Sequence, residues 1–256
     1  MPEPAEAKKR SMLIPEKKGI NDKAVYYKPR IMSGPSARVG FWSAALTTVL
    51  SIAFTLITAY LYLTTVQQPW TGIETYMPDV SLVQMLPFIF SFFLAPAFVV
   101  LMASIHHYSP DEKKIWSRIG LSFAMIYAAI VTVNYLIQVT VVRHSLYGSS
   151  MDGLSMFVSG NPMSIFWAMV ILGYAFMCLS MLFASPIFVQ GDLENYVRWI
   201  FVVNGLVTGV AALVYLYYAE PFHPVILASL VLWCVTFPIA TSILAILFTR
   251  VRNATL

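Results

Sequence analysis

Residues 119–142 read IGLSFAMIYAAIVTVNYLIQVTVV. The stretch holds no Lys, Arg, Asp or Glu. A helix needs about 20 apolar residues to cross roughly 30 Å of hydrocarbon, so this segment is long enough to span a bilayer. It lacks the period-two alternation of a barrel strand. Five further stretches share its character, near 41–66, 82–105, 164–189, 199–218 and 225–249. The expected fold is all-α: a polytopic transmembrane bundle of six spans over residues 41–256. A basic tail over 1–40, disordered or lying on the membrane surface, precedes it.

Composition agrees with this reading. Hydrophobic residues make up 59% of the 256 and charged residues 11%, against about 25% charged in a soluble domain. Mean hydropathy is +0.73. The chain is basic, with a net charge of +4. Its basic residues flank the spans instead of forming one stripe, so no nucleic-acid partner is expected. The first 40 residues are polar and carry Pro2, Pro4, Pro15, Pro29 and Pro35. A secretory leader places its apolar core sooner, so the first span is expected to act as an uncleaved anchor. Cys178 and Cys234 both fall in apolar spans and read as small buried hydrophobes.

Orientation follows from the basic residues between spans. With the N-terminus cytoplasmic, the tail and the inner connections hold fifteen Lys and Arg, and the outer connections hold Arg143 alone. Both termini are therefore expected in the cytoplasm, with the plasma membrane as the expected location. Trp42, Trp116 and Trp199 fall near inner ends, and Trp70 and Trp167 near outer ends, where amphipathic rings favour the headgroup level. Trp233 is deep in the sixth span, against a neighbouring helix or a pocket. In the tail, Lys8, Lys9, Arg10, Lys17, Lys18, Lys23, Lys28 and Arg30 suit an anionic leaflet. Tyr26 and Tyr27 add interfacial contact. A tail that only sets topology explains the same residues.

Helix packing is expected to use small and hydroxylated residues. The first span carries Ser43, Thr47, Ser51, Thr55, Thr58, Tyr62 and Thr65 at helical spacing, a stripe that should face the bundle. A hydrophilic pathway would use the same face. Gly205 and Gly209 form a GxxxG in the fifth span, followed by Ala212. Pro96, Pro186 and Pro238 lie in the inner halves of spans two, four and six. Each is expected to free a carbonyl and kink its helix, which suggests a degenerate hairpin repeat and an inner vestibule.

The third span holds Tyr127, Asn134, Tyr135 and Gln138. Tyr127, Asn134 and Gln138 share one face, as do Asn204, Thr208 and Tyr215 of span five. A buried amide must be hydrogen-bonded or it costs free energy. These residues read either as ligand contacts or as interhelical hydrogen bonds, for example Asn134 to Asn204. Tyr127, Asn134, Gln138, Asn204 and Thr208 are the candidate ligand-binding residues.

The four histidines are His106, His107, His144 and His223. None lies within the expected spans, so a bis-histidine haem in the bilayer is not expected. His144, Asp152, Glu220 and His223 lack a zinc spacing, and no metal or other cofactor is expected. No HExxH, P-loop, GxGxxG or GxSxG occurs. No carboxylate is expected inside a span to relay protons.

Three readings of function follow. The first is a bundle that binds or translocates a small neutral or lipid-like molecule. The second is an accessory subunit of a membrane complex, or a homo-oligomer, using the GxxxG. The third is an enzyme with an interfacial site at His106 and His107 with Asp111 and Glu112, or at Glu220 and His223 with His144.

Overall fold

The computed structural model describes residues 32–65, 69–74, 81–148 and 152–253. The tail residues named above, apart from Pro35, lie outside that range. Helix α1 spans Gly34–Thr64 and α2 spans Leu82–Tyr108. Helix α3, Lys114–Ile137, runs through a π-helical turn, Gln138–Val142, into the short α4, Arg143–Tyr147. Helices α5, α6 and α7 span Ile165–Ala184, Gly191–Tyr218 and Pro224–Asn253. Six helices are long and apolar enough to cross a membrane, with α3 and α4 forming one of them. No strand occurs among the described residues.

Three helices begin well before hydropathy indicated, α3 at Lys114 and not near 119 among them. α1 starts at Gly34 and not near 41, because Ser33 accepts the Ser36 N–H and Pro35 occupies the first turn. Both are helix-start features. α6 starts at Gly191 and not near 199, carrying Asp192 and Glu194 in its first turn, where acidic groups suit the helix dipole.

The six long helices pack in sequence order, each against its predecessor, and α7 closes back onto α1. The result is an up-and-down ring. Gly40 near the start of α1 lies under the Phe248 ring near the end of α7. The chain ends therefore share one face, called here the terminal face; the other is the distal face.

Glycines set the tightest crossings. A Cβ on Gly120 of α3 would sit 2.8 Å from the Ser180 carbonyl oxygen of α5, and one on Gly173 of α5 would sit 2.5 Å from Val131 of α3. One on Gly205 of α6 would meet Leu182 of α5 at 2.6 Å, whereas Gly209 has nothing within 4 Å. Only half of the GxxxG is therefore a helix contact within the chain.

The α1 stripe turns inward over its first half. Ser43, Thr47 and Ser51 are buried, and Thr48 donates to Thr241 of α7 or accepts from it at 2.8 Å. The stripe leaves the bundle distally: Thr58 is half-buried, Tyr62 is 70% exposed and Thr65 is exposed.

The prolines behave differently from one another. Pro96 and Pro238 lie inside α2 and α7, as does Pro87, near the start of α2. Pro238 has no N–H for the carbonyl of Cys234, and Thr55 of α1 donates its hydroxyl to that oxygen at 3.4 Å. Pro186 is not a kink. It starts a 3-10 turn, Ser185–Ile187, after α5 has ended at Ala184, a position where its missing N–H costs nothing.

Candidate functional site

Five aromatic side chains form a closed circuit near the midpoints of their helices. Trp233 of α7 meets Tyr174 of α5 edge-on at 5.4 Å. Tyr174 meets Tyr127 of α3 at 5.7 Å, and Tyr127 meets Phe98 of α2 at 5.8 Å. Phe98 lies 5.9 Å from Phe237, which stacks on Trp233 at 4.9 Å. Phe54 of α1 adds an edge-on contact to Trp233 at 5.9 Å. Trp233 and Phe237 are four residues apart and so share a face of α7. Edge-on and offset pairs are the favoured aromatic geometries.

Polar atoms decorate this circuit. The Tyr174 hydroxyl lies 3.5 Å from Ser91 Oγ of α2. The Tyr174 hydroxyl also pairs with those of Tyr135 and Tyr127. Tyr127 is fully buried and Trp233 is 2% exposed; the Tyr127 hydroxyl is set against that of Tyr174, whereas the Trp233 Nε1 has no hydrogen-bond partner. Trp Nε1–H is a donor only. An unmade hydrogen bond of this kind costs about 1–3 kcal/mol.

The other candidate residues hold the fold together. Asn134 Nδ2 donates to the Phe166 carbonyl in the first turn of α5 at 3.2 Å. Gln138 Nε2 donates to the Phe157 carbonyl of the distal loop at 2.7 Å. Asn204 Nδ2 donates to Thr236 Oγ1 of α7 and to its own Ile200 carbonyl, both at 2.8 Å. The expected Asn134–Asn204 bond does not form, because α5 stands between α3 and α6 in the ring. Thr208 is half-buried and lies beside the Cys178 thiol. Of the five, only Tyr127 belongs to the circuit. Phe98, Tyr174, Trp233 and Phe237 complete it. The sequence already places Trp233 against a neighbouring helix or a pocket; the signal for the other three was aromatic residues at mid-span, which a search weighted to amides passes over.

A second polar cluster closes the terminal face. Glu194, in the first turn of α6 and outside the apolar stretch 199–218, has no exposed surface. Tyr108 donates its hydroxyl to Oε1. The N–H groups of Val189 and Gln190 donate to Oε2, each at 2.8 Å. Lys113 Nζ donates to the Pro186 carbonyl. One carboxylate thus caps the start of α6 and ties it to the end of α2.

Three of the four histidines are engaged locally. His106 Nδ1 lies 2.7 Å from Ser117 Oγ, and Asp111 and Glu112 are exposed. Ser117 is fully buried and also donates to the Lys114 carbonyl, so its hydroxyl is shut away from any substrate. His144 Nδ1 donates to the Thr140 carbonyl at 2.7 Å. His223 stacks on Tyr218 and accepts the Val225 N–H. Among the described residues, no three His, Cys, Asp or Glu side chains gather as a metal site would require. No family model, curated protein or solved structure matches the chain, so a functional reading rests on the geometry of its own residues.

Proposed function

We propose that this six-helix membrane protein binds a small neutral or lipid-like molecule within the bilayer, at the aromatic circuit of Phe98, Tyr127, Tyr174, Trp233 and Phe237. One observation carries the reading. The Trp233 Nε1–H, which can only donate, is buried among the rings of the circuit without a partner. Polar groups at membrane depth are driven to find partners, and the amide nitrogens of Asn134, Gln138 and Asn204 do so. Binding is favoured over translocation because Leu101, Met102, Ile105 and Phe248 fill the interior on the terminal side. The terminal face is assigned to the cytoplasm of a plasma membrane, on the count of basic residues, with the basic tail against the anionic leaflet.

Native mass spectrometry of the protein released from lipid nanodiscs tests this. A discrete adduct is expected on the parent and is expected to be lost from Trp233→Phe. A parent that carries no adduct under any lipid composition refutes the reading. One feature favours a second reading, as a subunit of a larger membrane assembly. Gly209 offers open backbone between the exposed Leu206 and Leu213, which suits a helix from another chain.

A further inference from the structure

We infer that the corner where α2 meets α3 on the terminal face binds the phosphate headgroup of an anionic glycerophospholipid, held by Lys114 and Arg118. This site is separate from the aromatic circuit and does not depend on the binding reading above.

Two helices bring basic groups together here. α2 closes with His106, His107 and Tyr108, and α3 opens at Lys114 after a 3-10 turn, Asp111–Lys113. His106 lies within electrostatic range of Lys114, Arg118 and His107. Short bonds hold the corner in shape. His106 Nδ1 meets Ser117 Oγ at 2.7 Å, Ser117 donates to the Lys114 carbonyl, and Lys114 Nζ donates to the His106 carbonyl at 3.3 Å. Lys114 and Arg118 are four residues apart and so share a face of α3.

Among the described residues, no carboxylate offsets this charge. None pairs with Lys114, Arg118 or His107, although Asp111 and Glu112 lie in the adjoining turn. Arg143, Arg198 and Arg252 each lie over an aromatic ring. Arg118 is exposed and has neither ring nor carboxylate among the described residues. Its guanidinium fork takes two phosphate oxygens in parallel, and Lys114, with one N–H on the His106 carbonyl, keeps two for a third oxygen.

The surface below the cations distinguishes a lipid from a free phosphate. Ala103 and Val100 continue the exposed face of His107 toward mid-span, at steps of four and three. Ser122 and Met125 continue that of Arg118 at the same steps. Ser122 turns its hydroxyl onto the Arg118 carbonyl, so it asks nothing of a ligand. The two adjacent helices thus offer an outward lane of small and apolar groups leading from the cations into the hydrocarbon. An acyl chain gains from that lane, and an inorganic ion does not.

The test uses full-length protein in nanodiscs of phosphatidylcholine doped with phosphatidylglycerol, released for native mass spectrometry. The parent is expected to carry phosphatidylglycerol about tenfold above its share of the bilayer, and Arg118→Gln and Lys114→Gln are each expected to lose that preference. Arg250→Gln removes an exposed charge from α7 on the same face and is expected to keep it. Trp233→Phe is expected to keep it as well, which separates this adduct from one at the circuit. Lys114 also ties α3 to α2, so Arg118→Gln carries the test if Lys114→Gln fails to fold. An equal loss in Arg250→Gln would show attraction by the whole face and overturn the site. A parent without preference, or an Arg118→Gln protein that retains it, overturns the site too. Removal of the adduct by excess inorganic phosphate overturns the lipid assignment in favour of the free ion.

Discussion

Replacing Glu194 with Ala should cost more stability than any other single change of a charged residue in this chain. Three donors converge on its carboxylate: the Tyr108 hydroxyl and the N–H groups of Val189 and Gln190. Each buried donor left unmade costs about 1–3 kcal/mol. Water reaches a helix end at the membrane surface more readily than mid-span, so the full sum is not realised. The expected loss is roughly 3–5 kcal/mol, the range for breaking a buried charged partnership. Glu194→Gln keeps one acceptor oxygen for the backbone groups and should lose about half as much, since charge-assisted bonds are about twice as strong as neutral ones. Tyr108→Phe removes one donor, and its effect should largely vanish in the Glu194→Ala background, because the two share one interaction. The assay is reversible unfolding in mixed micelles of rising sodium dodecyl sulfate content. Amide hydrogen exchange at Val189 and Gln190 serves as the local readout. A Glu194→Ala protein within about 0.5 kcal/mol of the parent, with unchanged exchange, would show that the carboxylate does not hold the α2–α6 junction, since changes of that size are typical of inert surface sites.

The remaining predictions concern backbone geometry. Gly120→Ala should destabilise by about 1–3 kcal/mol, because its Cβ would press on the Ser180 carbonyl of α5, which is backbone and cannot yield by turning a side chain. Gly209→Ala should be neutral or slightly stabilising in the same micelle titration, since its Cβ would meet nothing within 4 Å; a large loss there in a homogeneous monomer would contradict this packing. Ala219 closes α6 with φ of 52°, a conformation in which an L side chain is strained, so Ala219→Gly should raise stability by about 1 kcal/mol.

The spans were legible because apolar blocks of this length have one common use. Their ends were less so. Hydropathy discards Asp192, Glu194 and Arg198, yet the α6 helix runs through all three. The marks of an early start are local chemistry, such as Ser33 and Pro35 before α1, and not apolarity. Pro186 and Pro238 look alike in sequence, but one begins a 3-10 turn and the other interrupts a helix. What separates them is whether the helix continues on the far side, which depends on tertiary packing. The Asn134 partner failed for a similar reason. Sharing a polar face says that a residue needs a partner; the order of helices around the ring says which partner it gets.

That distinction also decides how polar residues in this bundle bear on function. Sequence alone marks the amides as the chemically rich positions, because their burial is costly. The fold then uses each amide nitrogen to offset that cost: Asn134 on α5, Gln138 on the distal loop, Asn204 on α7. Glu194 is consumed in the same way. Once those bonds are drawn, the groups left over include the Asn204 Oδ1, the hydroxyls of Thr47, Thr58 and Ser180, and the Trp233 indole N–H, and of these the indole belongs to the aromatic circuit. Trp233→Phe separates the two kinds of role. If the indole N–H were structural, deleting it would destabilise the protein with or without ligand. If it awaits a ligand, deletion should leave the empty protein at least as stable, since an uncompensated buried polar group has been removed, while retention of the ligand falls.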